Sequence, residues 1–405
     1  MRGAAGREKA IVIIDDAHTF GGAQVALGWA IRAVLRQCNL QAVVCVCTPS
    51  TREAIQKIAG VHKNLRFIEC PAALPLNILA FPFRLWTFYR LLRPWMNEEG
   101  QLWWLNLAGI EFCLAPLLIL RLWGLRPIGW LHNEKSLLFL NAYASLPRRV
   151  LCRLRDAIAN RMIFGQYHQI VTPSRAAEAS LKERLFCGNS SRSGFLYPYL
   201  GVEGERQNIH IGRTWSGPID LWMIGRVEYG HKNNLAGLEV LKYMTERRKD
   251  ASLTIVGNGP DMERFLSDTK RLGLAQVVHP RDWESNPWES VPRSAIVFIP
   301  SRFESFCLVA REAMLRGIRV VLSPLPVFFE WIPSELIARV CTTEAFAEKI
   351  EELSVMSREH LLALYSTVLD RYTEEAFATK FMSILPGASG ESLRDTTGSS
   401  SRGEA

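Results

Sequence analysis

Five apolar residues in a row, Ala295-Ile296-Val297-Phe298-Ile299, lead into Pro300-Ser301, a short loop, and a helical pattern from Leu308 to Leu315 that Gly317 ends. A run with no polar residue cannot alternate between core and solvent. It therefore reads as a strand covered on both faces, the environment of parallel sheets. Arg319-Val320-Val321-Leu322 begins the next strand. A strand–loop–helix–strand unit of this kind commits the chain to an α/β fold. Two carboxylates stand eight residues apart in it, Glu304 in the loop at the carboxyl end of the strand and Glu312 in the early turns of the helix. Open α/β sheets bind ligands at that edge, and helix amino ends favour anions. A nucleotide diphosphate with hydroxyl-rich neighbours suits such a site.

The same alternation runs through the rest of the chain. Ala10 to Ile14 reads as a strand, followed by Asp15-Asp16, the adjacent glycines Gly21-Gly22, and a helix from about Gln24 to Gln37. Adjacent glycines between strand and helix let the backbone approach a ligand and aim N–H groups at it. Gln41 to Cys47 is a second strand, Thr51 to Ile58 a helix, and Leu65 to Ile68 a third strand. Two very apolar stretches follow, Leu74 to Met96 and Ile110 to Leu122, with a short strand at Leu102 to Leu107 between them. Ile128 to Leu131 is a strand that ends at His132, where chemistry concentrates in this fold class. Gln169 to Ser174 runs from strand to loop, with Ser174 as the N-cap of a helix from Ala176 to Arg184. Phe195 to Tyr199 has the look of a strand known from a family named below, and residues 201–217 read as a polar linker.

The second half starts again with Ile219 to Ile224, then Gly225-Arg226-Val227-Glu228-Tyr229-Gly230-His231-Lys232 and a helix from Asn233 or Asn234. Gly225 permits a tight turn. Arg226 can make a forked, charge-assisted contact to phosphate, and Lys232 supplies a point charge from the same loop. Ser252 to Val256 is a strand that turns through Gly257-Asn258-Gly259-Pro260 into a helix. Gln276 to Val278 and Ala338 to Cys341 are expected as short strands, and Thr342 as a helix cap.

Read in order, these segments resemble the group 1 retaining glycosyltransferases. The run Pro300-Ser301, Glu304-Ser305-Phe306, Glu312-Ala313-Met314, Gly317 and Val320-Val321 is similar to that family's nucleotide-sugar motif, with Ser305 and Cys307 where the family usually has glycines. Gly21-Gly22, the histidine after the Ile128 strand, the Gly225-Arg226 … Lys232 segment and the Gly-x-Gly-Pro turn resemble further family marks. The resemblance implies the GT-B architecture, two Rossmann-like domains facing across a cleft. The expected divisions are 1–205 for the acceptor domain, 206–385 for the nucleotide-sugar donor domain, with its last helix crossing back to the first, and 386–405 for a disordered tail. It also implies roles. Arg226, Lys232, the Gly21–Gly22 amides and the helix amino end at Phe306, Cys307 and Leu308 would neutralise a departing diphosphate. Glu304 would hold sugar hydroxyls near the anomeric carbon, with His132 beside the sugar. Glu312 would accept from the ribose, and Asn258 or Gly259 would border the nucleotide.

Composition narrows the setting. Hydrophobic residues make up 48% and charged residues 22% of the 405, as in globular proteins. A net charge of +8 favours an anionic partner. The function read here is transfer of a sugar from a nucleotide diphosphate sugar to the hydroxyl of a glycan or lipid-linked acceptor, in cell-surface polysaccharide or glycolipid synthesis. No nucleic acid partner, no cofactor and no metal are expected, since no Asp-x-Asp pair of the metal-holding kind is present. A non-catalytic subunit of the same fold and a nucleotide-sugar epimerase are the alternatives. A dinucleotide oxidoreductase ranks below both, because no Gly-x-Gly-x-x-Gly follows the first strand. Nine cysteines without metal spacing or an apolar leader suggest a cytoplasmic protein. The apolar stretches are broken by Pro82, arginines, Glu111 and Pro116, which argues against a membrane span. Helices packed on the sheet account for them. The competing reading is a peripheral surface on the inner face of an anionic membrane, supported by a basic helix that carries Arg148, Arg149, Arg153, Arg155 and Arg161.

Overall fold

The structure is a computed structural model. It describes residues 10–18, 20–38, 40–71, 81–96, 101–109, 112–132, 163–185, 193–201, 217–247, 249–284 and 286–385. The basic helix expected around Arg148 to Arg161, nearly all of the expected 201–217 linker and the expected 386–405 tail lie outside them.

The chain forms two compact units. One comprises the residues up to Tyr199 together with those from Thr373 on; the other is Leu200–Tyr372. In the first, strands β1 (Ala10–Asp15), β2 (Ala42–Cys47), β3 (Leu65–Glu69), β4 (Leu102–Leu107), β5 (Ile128–Leu131), β6 (Gln169–Thr172) and β7 (Ser193–Phe195) build one sheet in the order β3-β2-β1-β4-β5-β6-β7. Every pairing is parallel. The apolar sequences explain this: all six residues of β4, Leu-Trp-Trp-Leu-Asn-Leu, are buried. Helices α1 (Gly22–Gln37), α2 (Pro49–Ala59), α3 (Phe81–Leu92), α4 (Leu114–Leu122) and α5 (Arg175–Leu185) accompany them. Ser174 Oγ accepts the Ala177 N–H and caps α5.

In the second unit, β8 (Ile219–Ile224), β9 (Ala251–Val256), β10 (Val278–Arg281), β11 (Ile296–Ile299) and β12 (Arg319–Leu322) form a parallel sheet in the order β10-β9-β8-β11-β12. Its helices are α6 (Asn234–Glu246), α7 (Met262–Arg271), α8 (Leu308–Leu315), α9 (Pro326–Trp331), α10 (Thr343–Ser354) and α11 (Arg358–Leu369). Thr342 caps α10 through the Ala345 N–H. The last helix, α12 (Glu374–Ile384), belongs to the first unit and packs on α1. It carries Phe381 to 4.8 Å from Trp104, and Phe377 to 6.4 Å from Trp130.

Several boundaries differ from the sequence reading. The strand expected at Gln276–Val278 lies at Val278–Arg281, an edge position that tolerates Pro280. Ala338–Cys341 is not a strand; a single bridge, Leu322 to Ile337, stands in its place. The Phe195–Tyr199 strand is displaced to Ser193–Phe195. The apolar helix starts at Leu114 rather than Ile110, because Cys113 adopts φ 59°, outside the helical region.

Both sheets reverse direction at one place. After β1 the chain steps out to β2 and β3, then returns on the other side of β1 as β4; β8 and β11 repeat the manoeuvre. A crevice opens beyond the strand ends at such a switch point. In this protein the two crevices lie between β1 and β4 and between β8 and β11.

Candidate functional site

The second unit's crevice is built from the loops that follow β8 and β11. Gly225 leaves β8 with φ +130°, a conformation that side chains rarely adopt. Residues 228–233 then wind tightly: the Glu228 carbonyl accepts the N–H groups of His231, Lys232 and Asn233. Asn234 Oδ1 accepts the Glu228 N–H and Asp261 accepts the Tyr229 N–H, so α6 and the N-cap of α7 both brace the turn. Asn233, at φ 54°, donates to the Pro300 carbonyl, and the Arg302 N–H reaches the His231 carbonyl at 2.8 Å. The two loops are thus tied by backbone, and Lys232 Nζ lies 2.6 Å from Glu304 Oε1. Ser301 Oγ donates to the same carboxylate oxygen at 2.8 Å, and Ser323 Oγ holds the Ser301 carbonyl.

The pair is largely withdrawn from water, with side-chain exposures of 25% for Lys232 and 8% for Glu304. Burial alone would raise the Glu304 carboxyl, but the charges of Lys232 and His231 and the Ser301 hydroxyl hold it below the usual range. Burial likewise opposes charge on Lys232, and Glu304 more than offsets it, so its ammonium is held above the ordinary lysine value. Both groups are therefore ionised. An ammonium has three donors, and Glu304 takes one. The carboxylate receives both hydrogen bonds on Oε1, which leaves Oε2 to accept from a hydroxyl.

The other expected residues fall in different settings. Arg226 is exposed, its side chain 66% accessible and 3.7 Å from Glu228. Glu312 faces Trp288, whose indole N–H donates to Oε2 at 3.1 Å. Burial raises its carboxyl against the pull of Arg316 and Trp288. The Phe306 ring is buried and stacks on Trp331 at 4.6 Å, which leaves its main chain to serve at the helix amino end. Cys307 is the N-cap of α8 with φ 76° and makes no side-chain cap. It holds a left-handed conformation where glycine would be unstrained. Leu308 opens α8, and no capping side chain stands over the helix amino end. Asn258 is exposed and its Oδ1 accepts the Gly259 N–H. Gly257 and Gly259 lie backbone against backbone on the β8 loop: a Cβ at 257 would stand 2.1 Å from the Gly225 carbonyl oxygen, and one at 259 would stand 2.2 Å from that of Val227.

In the first unit, Gly22 begins α1 and Gly21 caps it. A Cβ at Gly21 would meet only the tip of Gln24 at 3.8 Å. Among the described residues nothing therefore demands glycine there. His132 follows β5, half-buried against Trp130, with Nε2 2.7 Å from Asn106 Oδ1. Burial pushes its pKa down to about 3, so the ring is neutral. Sequence reasoning missed what holds these groups. Asp15, fully buried at the end of β1, accepts from Gln24 and Asn106. Asp16 accepts from Arg84 at 2.7 Å and from the Cys113 N–H. The consecutive acids at a strand end were the one visible signal of this cluster.

Two Rossmann-like units, with a lysine–carboxylate pair at the second sheet's switch point, define a protein of the GT-B fold. Solved structures of that fold align over nearly the whole chain. Anabaena HepE in complex with UDP-glucose matches with a TM-score of 0.66 at 14% identity, covering 92% of this chain and 99% of that one. The apo lipopolysaccharide outer core galactosyltransferase WaaB matches at 0.62 and 16%, covering 93% and 98%. Residues 206–361 match the family model of glycosyl transferases group 1. Among curated proteins, an Escherichia coli O-antigen biosynthesis glycosyltransferase, WclY, is 25% identical over 151 residues, 36% of this chain and 41% of its own length. The chain thus spans about two fifths of that relative.

Proposed function

We propose that the protein transfers a sugar from a nucleotide diphosphate sugar to an acceptor hydroxyl in the assembly of a cell-surface glycan. The observation that carries this reading is the Lys232–Glu304 contact at the β8/β11 crevice. It sets a cation that can neutralise a leaving diphosphate beside a carboxylate that can grip sugar hydroxyls. Lys232 keeps two N–H donors for phosphate while bound to Glu304, so neither partner has to let go when donor enters. Arg226, exposed at the surface, adds a forked contact. The amino end of α8 at Cys307 and Leu308 supplies backbone N–H groups and the positive end of a helix dipole. Glu312 offers its remaining oxygen to the ribose. Asn258 and Gly259 border the nucleotide, and Gly21, Gly22 and His132 are the first unit's substrate contacts. The group 1 family match, the UDP-glucose held by HepE and the O-antigen role in the name of WclY support this assignment. The transfer needs no metal in this reading, because fixed cations carry the leaving charge. A thermal-melting panel of nucleotide diphosphate sugars tests it: one donor is expected to raise Tm by several degrees, since a ligand at 100 times its Kd stabilises by about 2.7 kcal/mol. No shift with any of them would sink the proposal.

The acceptor side of the same proposal is a glycan carried at an anionic membrane. Helices α3 and α4 pack together and leave Phe83 (64%), Trp86 (54%) and Leu122 (79%) exposed beside Tyr89 and Trp123. Arg90 lies over Trp86 at 4.7 Å. Aromatics interleaved with arginine suit the headgroup layer of an anionic bilayer. Among the described residues no helix is long and apolar enough to cross a membrane. Sedimentation with phosphatidylglycerol vesicles is expected to drop at least about threefold in Trp86→Ser/Leu122→Ser, at about 0.8 kcal/mol per buried methylene lost. Equal binding of variant and wild type would remove this surface from the proposal.

A further inference from the structure

Asp15 is 0% exposed at the end of β1, yet its side chain reaches both groups expected to contact substrate in the first unit. On one side, Gln24 Nε2 donates to Asp15 Oδ1 at 3.1 Å and to Oδ2 at 3.3 Å, while Gln24 Oε1 accepts the Gly21 N–H at 3.0 Å. On the other, Asn106 Nδ2 donates to Asp15 Oδ1 at 3.1 Å, and Asn106 Oδ1 faces His132 Nε2 at 2.7 Å. An amide side chain turned over by 180° fits nearly the same space, so packing alone does not orient Gln24 or Asn106. A carboxylate oxygen that must receive a hydrogen bond does. It draws the NH2 end of each amide toward itself and turns each carbonyl oxygen outward, one to Gly21 and one to His132. With a carbonyl oxygen before it, His132 Nε2 must carry the ring proton. Nδ1, which has no partner among the described residues, is then left with a lone pair.

We propose that Asp15 is a positioning residue that fixes, through two amide side chains, the tautomer of His132 and the conformation of the Gly21–Gly22 loop. It touches no substrate. Its effect is to make His132 an acceptor at Nδ1, the form that can take a hydrogen bond from a sugar hydroxyl, and to hold the loop's amides in place. An apolar residue of similar volume at 15 would serve the core at least as well, since a buried carboxylate is costly unless its hydrogen bonds are used. The neighbours of Asp15 do not supply a substitute. Asp16 is committed to Arg84 and the Cys113 N–H, and the Cys70 thiol donates to the Asp15 main-chain carbonyl. Burial pushes the Asp15 carboxyl up to about 7 against the hydrogen bonds of Asn106 and Gln24, but protonated or not it presents Oδ1 as an acceptor to both amides.

What His132 and the loop contact rests on the glycosyl-transfer reading; the orienting role of Asp15 does not, and its test needs no donor. In full-length protein labelled with 15N-histidine, the His132 ring is expected to show the neutral Nε2–H pattern from pH 8 to pH 5. In Asp15→Leu the 106 amide loses its fixed acceptor, and the two ring nitrogens should move toward the average of the two tautomers. Hydrogen exchange at the Gly21 amide should quicken at least about tenfold, the factor for a protecting interaction weakened by roughly 1.4 kcal/mol. Asn106→Leu, which severs only the His132 arm, should change the histidine spectrum and leave Gly21 exchange as in wild type; it also serves if Asp15→Leu does not fold. An Nδ1–H tautomer in the wild type overturns the proposal, as does an Asn106→Leu spectrum identical to wild type. Should the melting panel find no donor while these results hold, the transfer reading fails and the positioning role stands.

Discussion

Replacing Lys232 by alanine is expected to lower kcat/KM for the donor selected by the melting panel by well over about 10-fold, since a charged contact to the leaving diphosphate is worth about 1.5–3 kcal/mol. Glu304→Ala should cost as much by releasing the sugar. The two residues are also structural partners, and this allows the roles to be separated. Lys232→Ala leaves the Glu304 carboxylate, 8% exposed, with only Ser301 to satisfy it. Removing one member of a fully buried pair costs about 3–5 kcal/mol; with Lys232 a quarter exposed, about 1–3 kcal/mol is the reasonable expectation. Lys232→Met/Glu304→Leu removes both charges at once and should recover most of that loss while remaining inactive. Melting temperature and donor turnover, measured on the two single variants and the double, check the argument. Turnover within twofold of wild type in Lys232→Ala would eliminate the assigned role.

The second large effect concerns glycines that contact no substrate in this account. Gly257 holds φ +138°, and a Cβ there would stand 2.1 Å from the Gly225 carbonyl oxygen and 2.9 Å from its carbon. Backbone cannot rotate aside as a side-chain tip can. Gly257→Ala must therefore push the β8 loop out of register as well as occupy a strained conformation. The expected loss is about 2–4 kcal/mol. For a domain of this size that lowers Tm by roughly 2–4 °C per kcal/mol. Because Arg226 and Lys232 ride on the same loop, the donor-induced rise in Tm should shrink too. Gly230→Ala is the control: nothing lies within 4 Å of its added carbon, and the change should stay within about 0.5 kcal/mol. A Gly257→Ala protein that melts with wild type would contradict the close packing of the two loops.

Much of the framework could be read from local pattern, because unbroken apolar runs such as Ile11–Ile14 and Ile296–Ile299 have no other stable use than a covered strand. The two sides of the second crevice were also legible, since Lys232 and Glu304 each follow such a run. Their 2.6 Å contact was not: they are 72 positions apart, and the tie depends on Asn233 reaching Pro300 and on Ser301 turning inward. The Asp15–Asn106–His132 chain was hidden for the same reason, with partners 91 and 26 residues apart. Polar residues inside strands look like flaws in an apolar pattern until their partners are seen. The misplaced edge strand shows the converse. Val277-Val278 drew attention as apolar, while His279-Pro280 looked like loop, yet at a sheet margin exposure and a missing N–H are tolerated.

The pairing of α12 with α1 has a consequence for biosynthesis. Leu200–Tyr372 is one uninterrupted stretch, complete on its own once translated. The unit that starts at the amino terminus is closed by the last helix, whose Phe377 and Phe381 cover Trp130 and Trp104. A nascent chain still on the ribosome therefore carries two uncovered tryptophans for as long as the intervening residues take to synthesise. The later-made half can finish folding before the earlier-made half is sealed.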